Sequence, residues 1–316
     1  MKKRIWPAFI YPKNNELFSS WLIRLSKEHY TKSYSFSKYY FDNLPIWNRD
    51  IDRSESTFLR KKIADHTPLD KNQIESLFLT SFSGKAFENH NPIAENYAIL
   101  PLGVYHRKRT NRGMLFCPQC LDQKTPYYKK SWRLITSIAC TDCNQLLQDC
   151  CPHCKSHVAF HRLETGYKDE ILKYNLNVCW NCKKNLCTLT LHPNEVELEY
   201  QKYVDATLQK GYNSHSNYSF SYLKILLTIA NKICSKSVHW GRIKNGFHKE
   251  FLVDESTSMS FKRLEDRRFI LSSVYSIMKD WPNKLLKFNS KYNIRYSDYS
   301  KDLKQMPYWF SKIFYG

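Results

Sequence analysis

Four Cys-x-x-Cys pairs occupy the middle of the chain: Cys117/Cys120, Cys140/Cys143, Cys151/Cys154 and Cys179/Cys182. They use eight of the eleven cysteines within 66 residues. Two thiolates in such a pair grip one metal ion from a tight turn, and two pairs complete the all-sulfur tetrahedron that Zn²⁺ favours. One pair arises in redox motifs or by chance; four in succession point to two zinc ions. Taken in chain order, Cys117, Cys120, Cys140 and Cys143 close one site across a 19-residue loop. Cys151, Cys154, Cys179 and Cys182 close a second across a 24-residue loop. The first loop has zinc-ribbon length and the second is slightly longer. An interleaved, cross-braced pairing is the alternative. Cys150 adjoins Cys151, and either sulfur is placed to reach the second ion. Four thiolates leave no coordination position for water, so both sites are expected to be structural rather than catalytic. His153, His157 and His161 stand near enough to substitute as ligands but are expected as surface or packing residues. Cys187 and Cys234 are expected as small buried hydrophobes.

Nothing else in the chain has the pattern of an enzyme. Asp50 and Asp52 come nearest to a carboxylate pair for two-metal phosphoryl transfer, and their expected role is a cap or ion pair in the N-terminal fold. Gly84-Lys85 is not a phosphate-binding P-loop, because Leu79 stands where its first glycine belongs and Ala86 replaces Ser or Thr. The charge balance is the stronger signal. Forty-nine Lys and Arg against twenty-nine Asp and Glu leave a formal +20, the electrostatic footprint of a polyanionic partner, nucleic acid first among them. No apolar run approaches the length of a membrane span. The basic residues 1–4 lead into a stretch broken by Pro7 and Pro12, which does not read as a signal peptide. An odd number of cysteines without such a leader predicts a reducing, cytoplasmic setting.

The elements that position these residues read as mainly α-helical with small zinc-ribbon β modules. Asn14 and Asn15 are expected N-caps for a helix from Glu16, with Leu17, Trp21 and Leu25 as its apolar stripe. A second helix is expected over about residues 54–65, carrying Phe58, Leu59 and Ile63. Thr67-Pro68-Leu69-Asp70 then reads as a helix start, with Thr at N-cap, Pro at N1 and an acid at N3. The helix it opens carries Ile74, Leu77 and Phe78. This pair has the spacing of a helix-turn-helix and equally of a plain helical hairpin. In a helix-turn-helix, Lys71, Asn72 and Gln73 would meet the DNA: the amides suit adenine, the lysine a phosphate or guanine. The pattern loosens at Pro92, Pro101 and Gly103, then runs through Arg107, Lys108, Arg109 and Arg112 into the first zinc pair. That basic run either meets phosphates or an acidic partner, or is a solvated linker. Beyond Ser216, Leu223, Leu226, Leu227, Ala230 and Ile233 keep helical spacing. So do Ile270, Val274, Ile277, Met278 and Trp281, with Pro282 as the stop and short helices near 284–291 and 296–303 after it. The division is an N-terminal helical domain over 1–113, a tandem zinc-ribbon region over 114–197 and a C-terminal helical domain over 198–316.

Several ordered segments carry a family resemblance. Phe116-Cys117-Pro118-Gln119-Cys120-Leu121, Pro126-Tyr127-Tyr128, Trp132-Arg133-Leu134, Cys140, Leu146-Leu147 and Cys151-Pro152-His153-Cys154 resemble the TniQ family of transposition proteins. Upstream, Glu16-Leu17-Phe18-Ser19-Ser20-Trp21-Leu22-Ile23-Arg24-Leu25 looks like that family's opening helix. Ile46-Trp47-Asn48-Arg49-Asp50-Ile51-Asp52 and Leu100-Pro101-Leu102-Gly103-Val104-Tyr105-His106-Arg107 look like its recurring segments. The likeness spans roughly residues 5–190 and is loose beyond Ser216. The family usually completes its first zinc site with Cys-x-x-His, and Cys143 stands here in place of that histidine. Thiolate is a competent ligand, so the site should survive with a slightly softer metal preference. The resemblance implies a non-catalytic target-selection protein of a Tn7-like transposon, which marks a DNA site and recruits an AAA+ regulator that brings the transposase. TnsD-like members bind an attachment sequence themselves; others ride on a CRISPR RNA-guided Cascade complex, often as a homodimer. The competing classes are a sequence-specific zinc-containing transcription regulator and a nucleic-acid-processing enzyme whose ribbons grip substrate.

Overall fold

The computed structural model describes residues 5–54, 56–90, 97–164, 173–235, 241–252, 259–301, 303 and 305–315. The basic residues 1–4 and Pro92 lie outside them. The first helix, α1 (Phe18–Glu28), buries Phe18, Trp21, Leu22 and Leu25 along one stripe. It opens later than expected because Asn14 and Asn15 do not cap it. Asn15 is left-handed (φ 59°), which turns the chain, and Glu16 is drawn into a bridge with Lys129. The Glu16 carboxylate is buried and meets Arg24 at 2.6 Å. The next helix, α2 (Ser33–Tyr40), has no clear apolar period; Ser33 and Ser37 are buried beside Phe36. What holds it is an aromatic nest, in which Trp6 meets Phe36, Tyr40 and Phe41 edge-on at 5.4–5.6 Å.

Ser56 caps α3 (Thr57–His66) through a bond from the Leu59 amide. The next helix corrects the expected start signal. The Thr67 hydroxyl donates back to the Ile63 carbonyl and so finishes α3. The true N-cap is Asp70, in a reciprocal capping box with Gln73, so α4 (Lys71–Glu75) is only five residues long. Leu77 and Phe78 leave the helix and drop into the core. A hairpin of β1 (Val104–Tyr105) and β2 (Lys108–Arg109) follows. The cysteine-rich region holds α5 (Pro118–Leu121) and the antiparallel pair β3 (Ala139–Cys140) and β4 (Gln145–Leu146).

The C-terminal part is a helical array. It begins with α6 (Glu195–Lys210), entered through an Asn194–Glu197 capping box and closed by left-handed Gly211, so the expected boundary at 197 lies in its first turn. Then come α7 (Ser219–Ile233), α8 (Gly241–Phe251), α9 (Leu264–Met278), α10 (Asn283–Tyr292), α11 (Tyr296–Ser300) and α12 (Tyr308–Ser311). Central in the array, α9 packs against α6, α7 and α10. It ends at Met278 rather than Trp281, and Pro282 serves instead as the entry to α10. The buried apolar side chains form one continuous cluster from Trp6 to Phe310. The seam between the cysteine-rich region and the C-terminal helices is specific: the Gln201 side-chain oxygen accepts from the Ile138 and Ala139 amides. No helix among the described residues is long and apolar enough to cross a membrane.

Candidate metal centres and nucleic-acid interface

The chain turns sharply at each Cys-x-x-Cys pair, and the turns aim the sulfurs together. Cys117 and Cys120 flank the start of α5, where Pro118 fixes the first helical position. Cys140 ends β3, and left-handed Asn144 (φ 51°) helps turn the chain between it and β4, bringing Cys143 back. The second site is built from two matching knuckles. Lys155 and Lys183 each follow a pair with φ 59°, and their amides donate to the Cys151 and Cys179 carbonyls at 3.0 and 3.1 Å. Within each set of four, the sulfurs all lie within 4.8 Å of one another. Cys120 is 3.6 Å from Cys140 and 3.4 Å from Cys143; Cys151–Cys182 and Cys154–Cys179 are both 3.7 Å. A tetrahedral ion with Zn–S bonds of about 2.3 Å needs sulfurs about 3.8 Å apart, so both clusters fit such an ion.

The pairing is therefore tandem, not interleaved. Cys150 belongs to neither set: it forms a backbone bridge with His157, and successive extended residues point to opposite faces. The three nearby histidines pack rather than ligate. His153 bonds the Asn185 carbonyl, His157 lies 5.7 Å from the Trp180 ring, and His161 stacks on Trp47 at 5.5 Å. Burial, with the Arg109 charge beside it, pushes the His161 imidazole down to about 3. Cys234 is buried and Cys187 half-buried.

The basic candidates separate by strand alternation. Lys71, Asn72 and Gln73 are all exposed, although the Gln73 carbonyl oxygen is engaged by the Asp70 amide. Arg107 and Lys108 are exposed, Arg107 lying 5.0 Å over the Tyr34 ring. Arg112 is half-buried against the Lys155 carbonyl and Asp149. Arg109 is a correction to the expected basic face. It is 6% exposed, and its guanidinium donates to the Trp47 and Arg49 carbonyls, because in β2 Lys108 points out and Arg109 in.

Asp50 and Asp52 do not form an open metal site. Fully buried Arg133 meets Asp50 at 2.6 Å and Asp52 at 3.6 Å. Asp52 also accepts from the Ser19 amide and hydroxyl, both at 2.8 Å. Burial and the Asp50 charge push the Asp52 carboxyl up to about 6. Arg133 carried no role in the sequence beyond its Trp-Arg-Leu segment; its burial depends on residues more than 80 positions upstream. Lys130 was likewise invisible: it is 7% exposed, as an ordinary surface lysine would not be.

No curated protein matches the chain. The TniQ family model matches residues 7–147, a span that takes in α1 to α5, the β1–β2 hairpin and the whole first cysteine cluster. The resemblance was expected over roughly residues 5–190, and the family match covers 7–147 of that span. Residues 7–147 of this chain are a TniQ domain.

Proposed function

We propose that the protein is a non-catalytic target-site selection factor of a Tn7-like transposon, which holds a DNA target or a guide-RNA-bearing Cascade complex and recruits an AAA+ transposition regulator. The observation that carries this reading is the TniQ match over residues 7–147, joined to a first cysteine cluster closed by four sulfurs. The closed clusters suit two structural Zn²⁺ ions and leave no position for catalytic water. The acid pair is spent on Arg133, which removes support from a nuclease reading. Exposed Lys71, Asn72, Gln73, Arg107 and Lys108, with half-exposed Arg112, are the proposed DNA contacts. Work in the cytoplasm, on the nucleoid, and pairing into a homodimer belong to the same reading, as does the three-part division at 113 and 197.

The test is selection from a duplex library. Zinc-replete protein is incubated with random or genomic duplexes at physiological salt, and what it retains is sequenced. One discrete motif, lost in Asn72→Ala/Gln73→Ala, means the protein selects its own target. Motif-free, salt-sensitive retention together with capture of an AAA+ ATPase places the address in a partner. Absence of both a motif and ATPase capture refutes the reading.

A further inference from the structure

A cleft of about 790 Å³ opens where the loop before α1, the segment around α4, the first cysteine cluster and α6 meet. Lys13, Lys85, Lys129 and Lys130 line it, and Gln73 stands on the same wall. Lys130 is the residue that ordinary packing does not explain. Its side chain is almost wholly buried, yet among the described residues its ammonium donates only to the neutral Ser81 hydroxyl, at 2.8 Å, beside the Phe82 ring. Among the described residues no carboxylate reaches ion-pair distance of it. Removing an ammonium from water without a counter-ion is costly, and lysine is almost never buried so. Lys85 adds a second positive charge nearby, and burial with that charge pushes the Lys130 ammonium down to about 8.

The acids in the cleft walls do not supply the missing charge. Glu16 is paired with Arg24, and Asp142 with Lys129. Asp205 accepts from Thr141 and Gln201. Around Lys130 and Lys85 the uncompensated charge is therefore positive, while Asp205 keeps its own charge on the α6 wall. A compact oxyanion matches such point-charge donors. The neighbouring Gln73 and the 59%-exposed ring of Tyr11 offer an amide and an aromatic face for a base attached to that oxyanion.

We propose that this cleft seats a backbone phosphate of a nucleic-acid strand, held by Lys130 and Lys85 with Lys13 at its rim. The inference rests on the reading that the protein touches DNA itself. The experiment titrates full-length, zinc-replete protein with fluorescent duplex across a salt series, for the wild type, Lys85→Ala, Lys130→Met and, on the remote exposed face of α8, Lys249→Ala. Each lost phosphate contact should flatten the dependence of log K on log salt by about 0.9 for duplex. Lys85→Ala and Lys130→Met are expected to show that loss, and Lys249→Ala a slope close to wild type. Lys130→Met should also melt at or above the wild-type temperature, since a methionine fills the burial without the charge. In parallel, inorganic phosphate should raise the melting temperature of the wild type and of Lys249→Ala but not of the two cleft variants. DNA binding with an unchanged slope in both cleft variants overturns the phosphate seat and leaves target selection standing. Phosphate protection that needs Lys85, in a protein that binds no DNA, overturns the nucleic-acid assignment and the DNA-contact reading beneath it, and marks the cleft as a site for free phosphate.

Discussion

Arg133→Met tests whether the acid pair is scaffold. The guanidinium is wholly buried and donates to both Asp50 oxygens, at 3.2 and 2.6 Å, and to the Leu100 carbonyl at 3.0 Å. Removing one partner of such a buried pair costs about 3–5 kcal/mol, because the carboxylate left behind has lost its compensation. The orphaned Leu100 carbonyl adds about 1 kcal/mol. Two features hold the total towards the middle of that range. The Asp50 side chain keeps 14% exposure and can recover some water. Asp52, already at about 6, can take up a proton, at about 1.4 kcal/mol per pH unit above its pKa. The expected loss at pH 7 is about 4 kcal/mol.

Urea unfolding at pH 7 and pH 5, in zinc-containing buffer, measures it. The Asp52 pKa is raised above its unfolded value near 3.9, so the folded state binds the extra proton, and stability falls as pH climbs from about 4 through the folded pKa. Loss of Arg133 raises that pKa further. The deficit of Arg133→Met relative to wild type must therefore be smaller at pH 5 than at pH 7. Adding Asp52→Asn should recover part of it at pH 7, since the asparagine oxygen still accepts from Ser19. A deficit below about 1 kcal/mol, or one equal at both pH values, refutes the reasoning, because the pair would then contribute no more than a surface bridge. Magnesium-dependent DNA cleavage lost in Asp50→Asn without a change in melting would return the carboxylates to catalysis.

Metal analysis separates the adjacent cysteines: Cys151→Ser should fall from two bound zinc ions to one and melt far lower, whereas Cys150→Ser keeps both. A zinc-filled site would contribute on the order of 10 kcal/mol to folding, so loss of one should expose its region to limited proteolysis. Cys143→His should retain two ions with melting close to wild type, since imidazole and thiolate are both competent zinc ligands; loss of the first ion would show that the turn at Asn144 admits only the shorter side chain. The depressed His161 pKa, about 3 against about 6.5 unfolded, means its stabilising contribution is whole above pH 6.5 and is lost as pH falls below it. At pH 5 the loss is at most about 2 kcal/mol, and His161→Phe, which preserves the stack on Trp47, should flatten the pH 5–6.5 segment of the unfolding profile.

What was legible in the sequence followed from local, repeated signals. The Cys-x-x-Cys spacing identified all eight sulfurs that the fold gathers, because a knuckle is a short-range structure whose geometry travels with its own four residues. The apolar stripes of α1, α7 and α9 were legible for the same reason: helical period is local. The errors lie where two local rules compete or where the deciding partner is remote. Thr67 and Asp70 are both good N-caps, and the Thr67 hydroxyl was claimed by the helix behind it. The serine- and tyrosine-rich α2 lacks a period and exists because Trp6 packs on it. Arg109 looked like its exposed neighbours until the two-residue strand β2 turned it inward.

Those remote partners also bear on how the proposed target selection would be transmitted. The TniQ match ends at 147, but the core does not: the buried cluster continues through the second cysteine site into the C-terminal helices. At the join, Gln201 satisfies two backbone amides of the β3 region, Tyr200 donates to Thr136, and the buried Arg267 guanidinium reaches the Ile135 carbonyl. Unpairing such groups inside the fold is expensive, so the seam resists hinge motion. The two four-cysteine sites then brace a single body rather than tether two mobile ones. Under the proposed function, occupancy of a target would be conveyed by fixed surfaces at fixed separation, and recruitment of a regulator would depend on the geometry of those surfaces more than on a conformational switch.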